Sequence, residues 1–425
     1  MKEEFLHYLW KYKLYKNSEL RCTNGEIVEI LNPGSHNHDS GPDFFNAKVK
    51  IENTVWAGNV EIHINSSDWF AHHHHTDKAY DNVILQVVHN HDKNIKRTDG
   101  QIIPTLEITF DQKLLNNYKS LINNESWIAC QSDLRKVDSF IIQNWLDKLT
   151  IERLEEKSNR INQLLEQTNN SWEISFYILL ARNFGFKLNS EPFEQLAKSL
   201  PLNYLAKHKD NLLQIEALLF GQAGFLNDEK GDEYFKKLKK EYHYLKKKFG
   251  LNGIEKHLWK FLRSRPGNFP TVRIAQFAKL IYNSSSLFSK ILETQKIEDF
   301  YKLLVVEPSD YWRSHYMFNK ESVQKSKSLG KAAVDVLLIN TIIPFLFNYG
   351  KAKGISELQE RAVELLEKIK PEKNAIINKW LELGIDPENA FETQALIHLK
   401  NNYCNHKKCL NCQIGDYLVK NVDES

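Results

Sequence analysis

The residues best equipped for chemistry in this 425-residue chain lie between Asn32 and His91. Asp43 follows Pro42 in a Gly-Pro-Asp turn, and Glu61 stands two residues before His63. Two carboxylates converging at one end of a sheet make a hard-oxygen site for magnesium or manganese, an ion that activates water and stabilises charge developing on a phosphate. A histidine beside them can orient water or stabilise negative charge. Further histidines crowd the stretch: His36 and His38 before Asp43, then His72 to His75 with Asp77 close behind. Neighbouring residues of a helix point in different directions, so four successive histidines cannot all face one ion. His72 with His75, or His74 with Asp77, are the pairings able to converge.

These residues need a sheet to position them. Phe44, Ala47, Val49 and Ile51 alternate with polar residues, and Val60, Ile62 and Ile64 alternate with Glu61 and His63, the period of half-buried strands. The two runs form a hairpin turning near Glu52 and Asn53, which puts Glu61 and His63 on one face and carries Asp43 to the side of Glu61. Glu3 to Tyr15 reads as an amphipathic helix packing on the sheet, and Glu26 to Leu31 as a first strand. After the hairpin, Ser66, Ser67 or Asp68 is expected to cap a helical turn. Asn82 to His89 is a strand buried on both faces by its Val-Ile-Leu content, with Gln86 as an odd polar member that needs partners and is placed to position a water or a base. A strand from Gln101 to Phe110 around Pro104 completes the unit.

Pro42-Asp43, a spacer of hairpin length and Glu61-Ile62-His63 resemble the PD-(D/E)xK nuclease signature, with His63 where that family usually has lysine. The order of helix, strand, hairpin, short helical link and strand resembles the core of that restriction-endonuclease-like fold. The resemblance implies a metal-dependent phosphodiesterase acting on nucleic acid, with Asp43 and Glu61 holding the ion and His63 as a weaker electrostatic substitute for lysine. Over nearly its full length the chain also resembles an uncharacterised bacterial family, a domain of unknown function built on GPDF, GNVEIH, SSDW, RPGNFP and a C-terminal cysteine group; no activity comes with it. Two other functions fit the residues. One is a non-catalytic nucleic-acid-binding or scaffold protein with a structural metal. The other is a hydrolase using a transition metal held by His63, by His72 or His74, and by Asp77.

Three cysteines, Cys404, Cys409 and Cys412, fall within nine residues near the C-terminus. The two-residue gap between Cys409 and Cys412 lets both sulfurs reach one metal ion, Cys404 supplies a third ligand, and Cys130 or His406 a fourth. Zinc and an iron–sulfur cluster both accept four thiolates. One early and three late cysteines resemble the iron–sulfur staple of some RecB-like nucleases, although Cys130 here follows the nuclease-like core. Cys22 has no partner in sequence and is expected to be buried. A second cationic feature is the loop Trp259 to Arg273, where Arg263, Arg265 and Arg273 surround two prolines and a glycine. Guanidinium groups bind phosphate in a bidentate manner, so the loop suits a nucleic-acid backbone or a phosphorylated ligand. As an ordinary corner between helices, it would pair its arginines with neighbouring acids.

From about Val137 onward, strand patterns give way to helix after helix, so the fold expected is α+β: a mixed-sheet, restriction-endonuclease-like domain over residues 1–130 and an all-helical domain over 131–425. Charge does not point to nucleic acid by itself, because the formal net charge is only +3 and any basic surface must be local. The N-terminus lacks the basic start and cleavage site of a signal peptide. The best apolar run, Val334 to Phe347, contains Asp335, Asn340 and Pro344, so no membrane association is expected. A cytoplasmic location follows, consistent with an odd number of cysteines and no disulfide framework.

Overall fold

The structure, a computed structural model, describes residues 1–16, 19–284 and 286–421. It is α+β, with a mixed sheet near the N-terminus followed by a large helical region. Helix α1 (Glu3–Lys11) buries Phe5, Leu6, Tyr8, Leu9 and Trp10. The strands are β1 (Val28–Asn32), β2 (Ser35–His36), β3 (Phe44–Ile51), β4 (Thr54–Asn65), β5 (Val83–Asn90) and β6 (Thr105–Glu107), in the order β1-β3-β4-β5-β6 with β2 also paired to β3. The first three of that row are antiparallel, while β5 runs parallel to β4 and β6 parallel to β5. The hairpin turns where expected: Ile51 faces Thr54, and Glu52 takes a left-handed conformation at φ 51°.

A parallel pair needs a crossover. Here it is helix α2 (Asp68–Ala71) and two short 3-10 turns, His74–Thr76 and Lys78–Tyr80. The expected serine cap of α2 is not made. Ser66 and Ser67 instead hydrogen-bond through their hydroxyls to Asp92, at 2.9 and 2.6 Å, and Asp68 accepts from the Asn65 N–H at 2.9 Å. The last strand is also shorter than expected, because Pro104 has no N–H to extend the ladder. The largest difference lies on β4. Its polar face is covered, so Glu61 and His63 are as buried as Val60 and Ile62, as befits a strand with a parallel neighbour.

Two compact units divide the chain. One comprises Met1–Trp145 together with Leu399–Ser425, so the cysteine-rich end groups with the sheet and not with the helices it follows in sequence. Within that unit the C-terminal helix Gln413–Asn421 packs on helix α3 (Gln112–Asn123), Asn117 donating to the Val419 carbonyl at 3.1 Å. The other unit, Leu146–His398, encloses one large apolar core. Leu202–Ala206 and Leu212–Gln222 are separate helices, and Asn211 caps the second by accepting from the Gln214 N–H. Ser190–Ser199 is a further helix, with Pro192 in its first turn, where a missing N–H costs no intrahelical bond. A small ribbon, His315–Met317 with Lys320–Glu321, adds strand to the helical unit.

The segment Lys331–Lys353 is long and apolar enough to cross a membrane by length and composition, contrary to the expectation from Val334 to Phe347, but it is mostly buried within this core. Pro344 cannot donate to the Asn340 carbonyl, and the helix widens into a π turn over Leu338–Ile342. The freed Asn340 carbonyl accepts from Asn183 at 3.0 Å, and Lys157 reaches the neighbouring Ile339 carbonyl at 3.0 Å.

Candidate active site

Asp43 and Glu61 meet. The Asp43 N–H donates to Glu61 Oε2 at 3.1 Å, and Asp43 Oδ2 accepts from the Ile62 N–H at 2.9 Å, so the end of β3 is laced to the middle of β4 through both carboxylates. His7, on α1, places Nε2 3.3 Å from Asp43 Oδ2. His74 and His63 bring their Nε2 atoms to 3.2 and 3.7 Å from Glu61 Oε1.

Burial pushes the Glu61 carboxyl up to about 9, and the neighbouring Asp43 charge adds to the effect. Burial also raises Asp43, but the bond and charge of His7 and the Ile62 N–H outweigh it, so its net shift is downward. His7 moves the other way: burial opposes its protonation, yet Asp43 holds the imidazolium and the net shift is upward. His63 is driven down to about 3 by burial and by the nearby His74 and His72, and is therefore neutral. Burial thus favours the neutral form of Glu61, while His7 and Asp43 each favour the charged form of the other.

The tautomer of His63 follows from Gln86, which is wholly buried on β5 beside Glu61. Gln86 Oε1 accepts from Thr105 Oγ1 at 3.3 Å, and Nε2 donates to the Ser66 carbonyl at 3.2 Å. The second amide hydrogen goes to His63 Nδ1 at 3.2 Å. A nitrogen that accepts carries no proton, so the neutral ring holds its hydrogen on Nε2, the atom facing Glu61.

The histidine run behaves unlike a helix. After α2, His73 turns left-handed at φ 63°, and the 3-10 turn that follows brings His72 and His74 to the same side. Neither expected pairing forms. His75 packs on Phe70 with ring centroids 5.2 Å apart, and Asp77 caps the next turn by accepting from the Ala79 N–H at 2.9 Å. Instead His63, His72 and His74 offer ligand atoms all within 4.8 Å of one another. The Nε2 atoms of His7, His63 and His74 are all buried and make no hydrogen bond of good geometry, their nearest polar neighbours being the Asp43 and Glu61 carboxylates. The imidazole trio is close enough together to hold one metal ion, provided His63 turns a bare nitrogen toward it.

Comparison with protein families matches residues 3–375 to a family described as protein of unknown function (DUF2851). The chain belongs to the DUF2851 family. Every residue of the candidate site lies inside the matched span, whereas Cys404, Cys409 and Cys412 lie beyond it. No curated protein and no solved structure matches this DUF2851 chain.

His7 and Glu3 were not foreseen. Their spacing of four on an amphipathic helix was the signal available, since it sets two polar side chains on one face, where the Glu3 charge also acts on His7. Of the loop arginines, Arg265 and Arg273 line one cavity, while Arg263 is exposed and lies outside its lining. The four cysteines Cys130, Cys404, Cys409 and Cys412 are free thiols within electrostatic reach of one another: Cys404 feels the other three, and Cys130 feels Cys412 and Cys409. His406 is exposed, and Cys22 is buried as expected.

Proposed function

We propose that this DUF2851 chain is a divalent-cation-dependent phosphodiester hydrolase acting on nucleic acid. The observation carrying the reading is the junction of Asp43, just before β3, with Glu61 on β4, and the His63 imidazole N–H facing Glu61. Magnesium or manganese held by the two carboxylates would lower the pKa of bound water and offset phosphate charge. Around it, Asp43 is oriented by the Ile62 N–H and His7, and Glu61 gives up its proton when it becomes a ligand. His63, its ring fixed by Gln86, donates Nε2–H to a phosphate oxygen or the attacking water. A neutral donor at the lysine position predicts slower turnover than a cation would supply. The test is cleavage of labelled DNA and RNA by purified protein with manganese or magnesium. Glu61→Gln should abolish it; equal cleavage by that variant, or none by the parent protein with either ion, would reject the assignment.

A second reading has its own observation, the close set of His63, His72 and His74. A zinc-like ion there would require the Gln86 amide to turn over so that His63 Nδ1 carries the hydrogen. His72→Ala separates the two: it should remove tight zinc binding yet leave manganese-dependent cleavage in place.

The thiols supply a structural metal in either case. Burial pushes the Cys412 thiol up to about 11, opposed by hydrogen bonds from the Gly415 and Ile414 N–H groups and the Trp145 side chain; a bound zinc ion or iron–sulfur cluster would have to displace that proton. Lys400 and Lys407 donate to the Trp127 and Ile122 carbonyls, both at 2.6 Å, tying the cysteine-bearing end to the segment before Cys130. Free thiols suit a reducing compartment such as the cytoplasm.

A further inference from the structure

The helical unit contains a buried cation that no carboxylate answers. Arg273, in the first turn of the helix Pro270–Asn283, is 7% exposed. Its guanidinium lies 4.0 Å over the Phe186 ring, Nη1 donates to Gln276 Oε1 at 2.9 Å, and Nη2 donates to Asn268 Oδ1 at 2.5 Å. All three partners are neutral, and Nε is buried with no hydrogen-bond partner. Burial is the cause that lowers its pKa, with no carboxylate opposing it. Buried charges are ordinarily paired, because taking an isolated one out of water is costly.

Arg273 borders a cavity of about 570 Å³ whose lining includes Arg265, Lys325 and Lys327 and contains neither aspartate nor glutamate. Lys327 is as buried as Arg273. Its ammonium donates to the Arg313 carbonyl at 2.6 Å and sits 4.2 Å over Tyr316. Its charged neighbour is another cation, Lys325. Ser326 and Ser328 alternate with these lysines around the rim, and Gln276 joins the two sides by donating to the Lys327 carbonyl at 2.7 Å. Four cations gathered on a concave surface repel one another and focus a positive potential. The arrangement is stable when an anion of matching charge occupies it.

We propose that this cavity binds a phosphate-bearing small molecule of nucleotide size, its phosphates held by Arg265, Arg273, Lys325 and Lys327. Phosphate fits better than carboxylate because it carries more charge and offers oxygens in the geometry an arginine fork accepts. The volume suits a ligand of that size. The site uses none of the groups of the candidate active site, so it stands whether or not the hydrolase reading does.

Calorimetric titration of the full chain tests it, with inorganic pyrophosphate, a nucleoside triphosphate and the parent nucleoside as probes. Pyrophosphate and triphosphate should bind, more weakly as salt rises, and the nucleoside should not. Lys325 is exposed, so Lys325→Glu leaves the fold intact and should weaken binding at least about tenfold; Glu61→Gln should leave it unchanged. Absence of binding by both phosphate probes at low salt, or undiminished affinity in Lys325→Glu, would overturn the proposal. So would a single-stranded oligonucleotide binding through Lys325 while pyrophosphate does not, which would assign the cavity to a polymer backbone.

Discussion

Gln86 shows how one buried amide decides the chemistry of a neighbour it does not resemble. Its carbonyl and one N–H are committed to Thr105 and Ser66, so the remaining N–H selects the His63 tautomer. Gln86→Leu removes that selection while keeping the volume. The expected result is a fall of about tenfold or more in kcat with little change in KM, since only a transition-state donor is lost. Nitrogen NMR of His63 should show the hydrogen redistributed between Nδ1 and Nε2; an unchanged tautomer would detach Gln86 from the mechanism. Glu216, in the helical core, carries a pH prediction. It is 1% exposed, accepts from the Tyr234 and Ser309 hydroxyls, and is pushed up to about 7, chiefly by burial. Its folded pKa is above the unfolded value, so the folded state holds the proton more tightly. Its contribution is greatest below about pH 4.5 and is lost as pH rises to about 7, on the order of 3 kcal/mol in all. Thermal melts across that window should lose most of this slope in Glu216→Gln. An undiminished slope would place the effect elsewhere.

Among the elements, the β4–β5 pair holds the site, and Gly58 sets how closely its strands approach. A Cβ added there would lie 2.4 Å from Ile84 Cγ2 and 2.7 Å from the Asn82 carbonyl. Backbone at that distance cannot yield cheaply, so Gly58→Ala should destabilise the protein by roughly 1–3 kcal/mol. Because the clash is at the start of β5, it should also shift Gln86 against His63 and reduce activity beyond the loss of folded protein. Full activity in the folded fraction would show that the pair tolerates the displacement. The crossover after β4 teaches a different lesson: His73 at φ 63° breaks the helix, and that break aligns His72 with His74.

At the scale of the molecule, the two units make separable expectations. The cysteine-bearing end belongs with the sheet, where Gly415 approaches the Cys409 carbonyl so closely that an added Cβ would stand 2.1 Å from it. The first turn of the last helix is thus folded tightly onto the cysteine turn. If these thiols share a metal, Cys409→Ser should release zinc or iron and lower the melting transition of the unit containing Met1–Trp145. The transition of Leu146–His398 should remain. Metal analysis of anaerobically purified protein that finds neither element would reduce the cluster to ordinary buried thiols.

What the sequence determined by itself was local. Strand alternation placed Glu61 and His63 on one face, and the Glu52–Asn53 turn set the hairpin register as far as Ala47 and Gly58, because side-chain direction in a strand follows from period alone. The bulge between Phe44 and Ala47, with Asn46 left-handed at φ 57°, then shifts that register and brings Asp43 to Glu61, which no alternation pattern recorded. Helical periodicity likewise marked most of Leu146–His398. Tertiary structure decided what depends on partners distant in the chain. The covering of the polar face of β4, the addition of His7 to Asp43, the tautomer of His63 and the return of Leu399–Ser425 to the sheet unit all arise from contacts that no local pattern records. The uncompensated charge of Arg273 belongs with them. Its sequence neighbours announced an arginine loop, but only packing removed water and left neutral partners around the guanidinium, which makes an otherwise ordinary cation a demand for an anion.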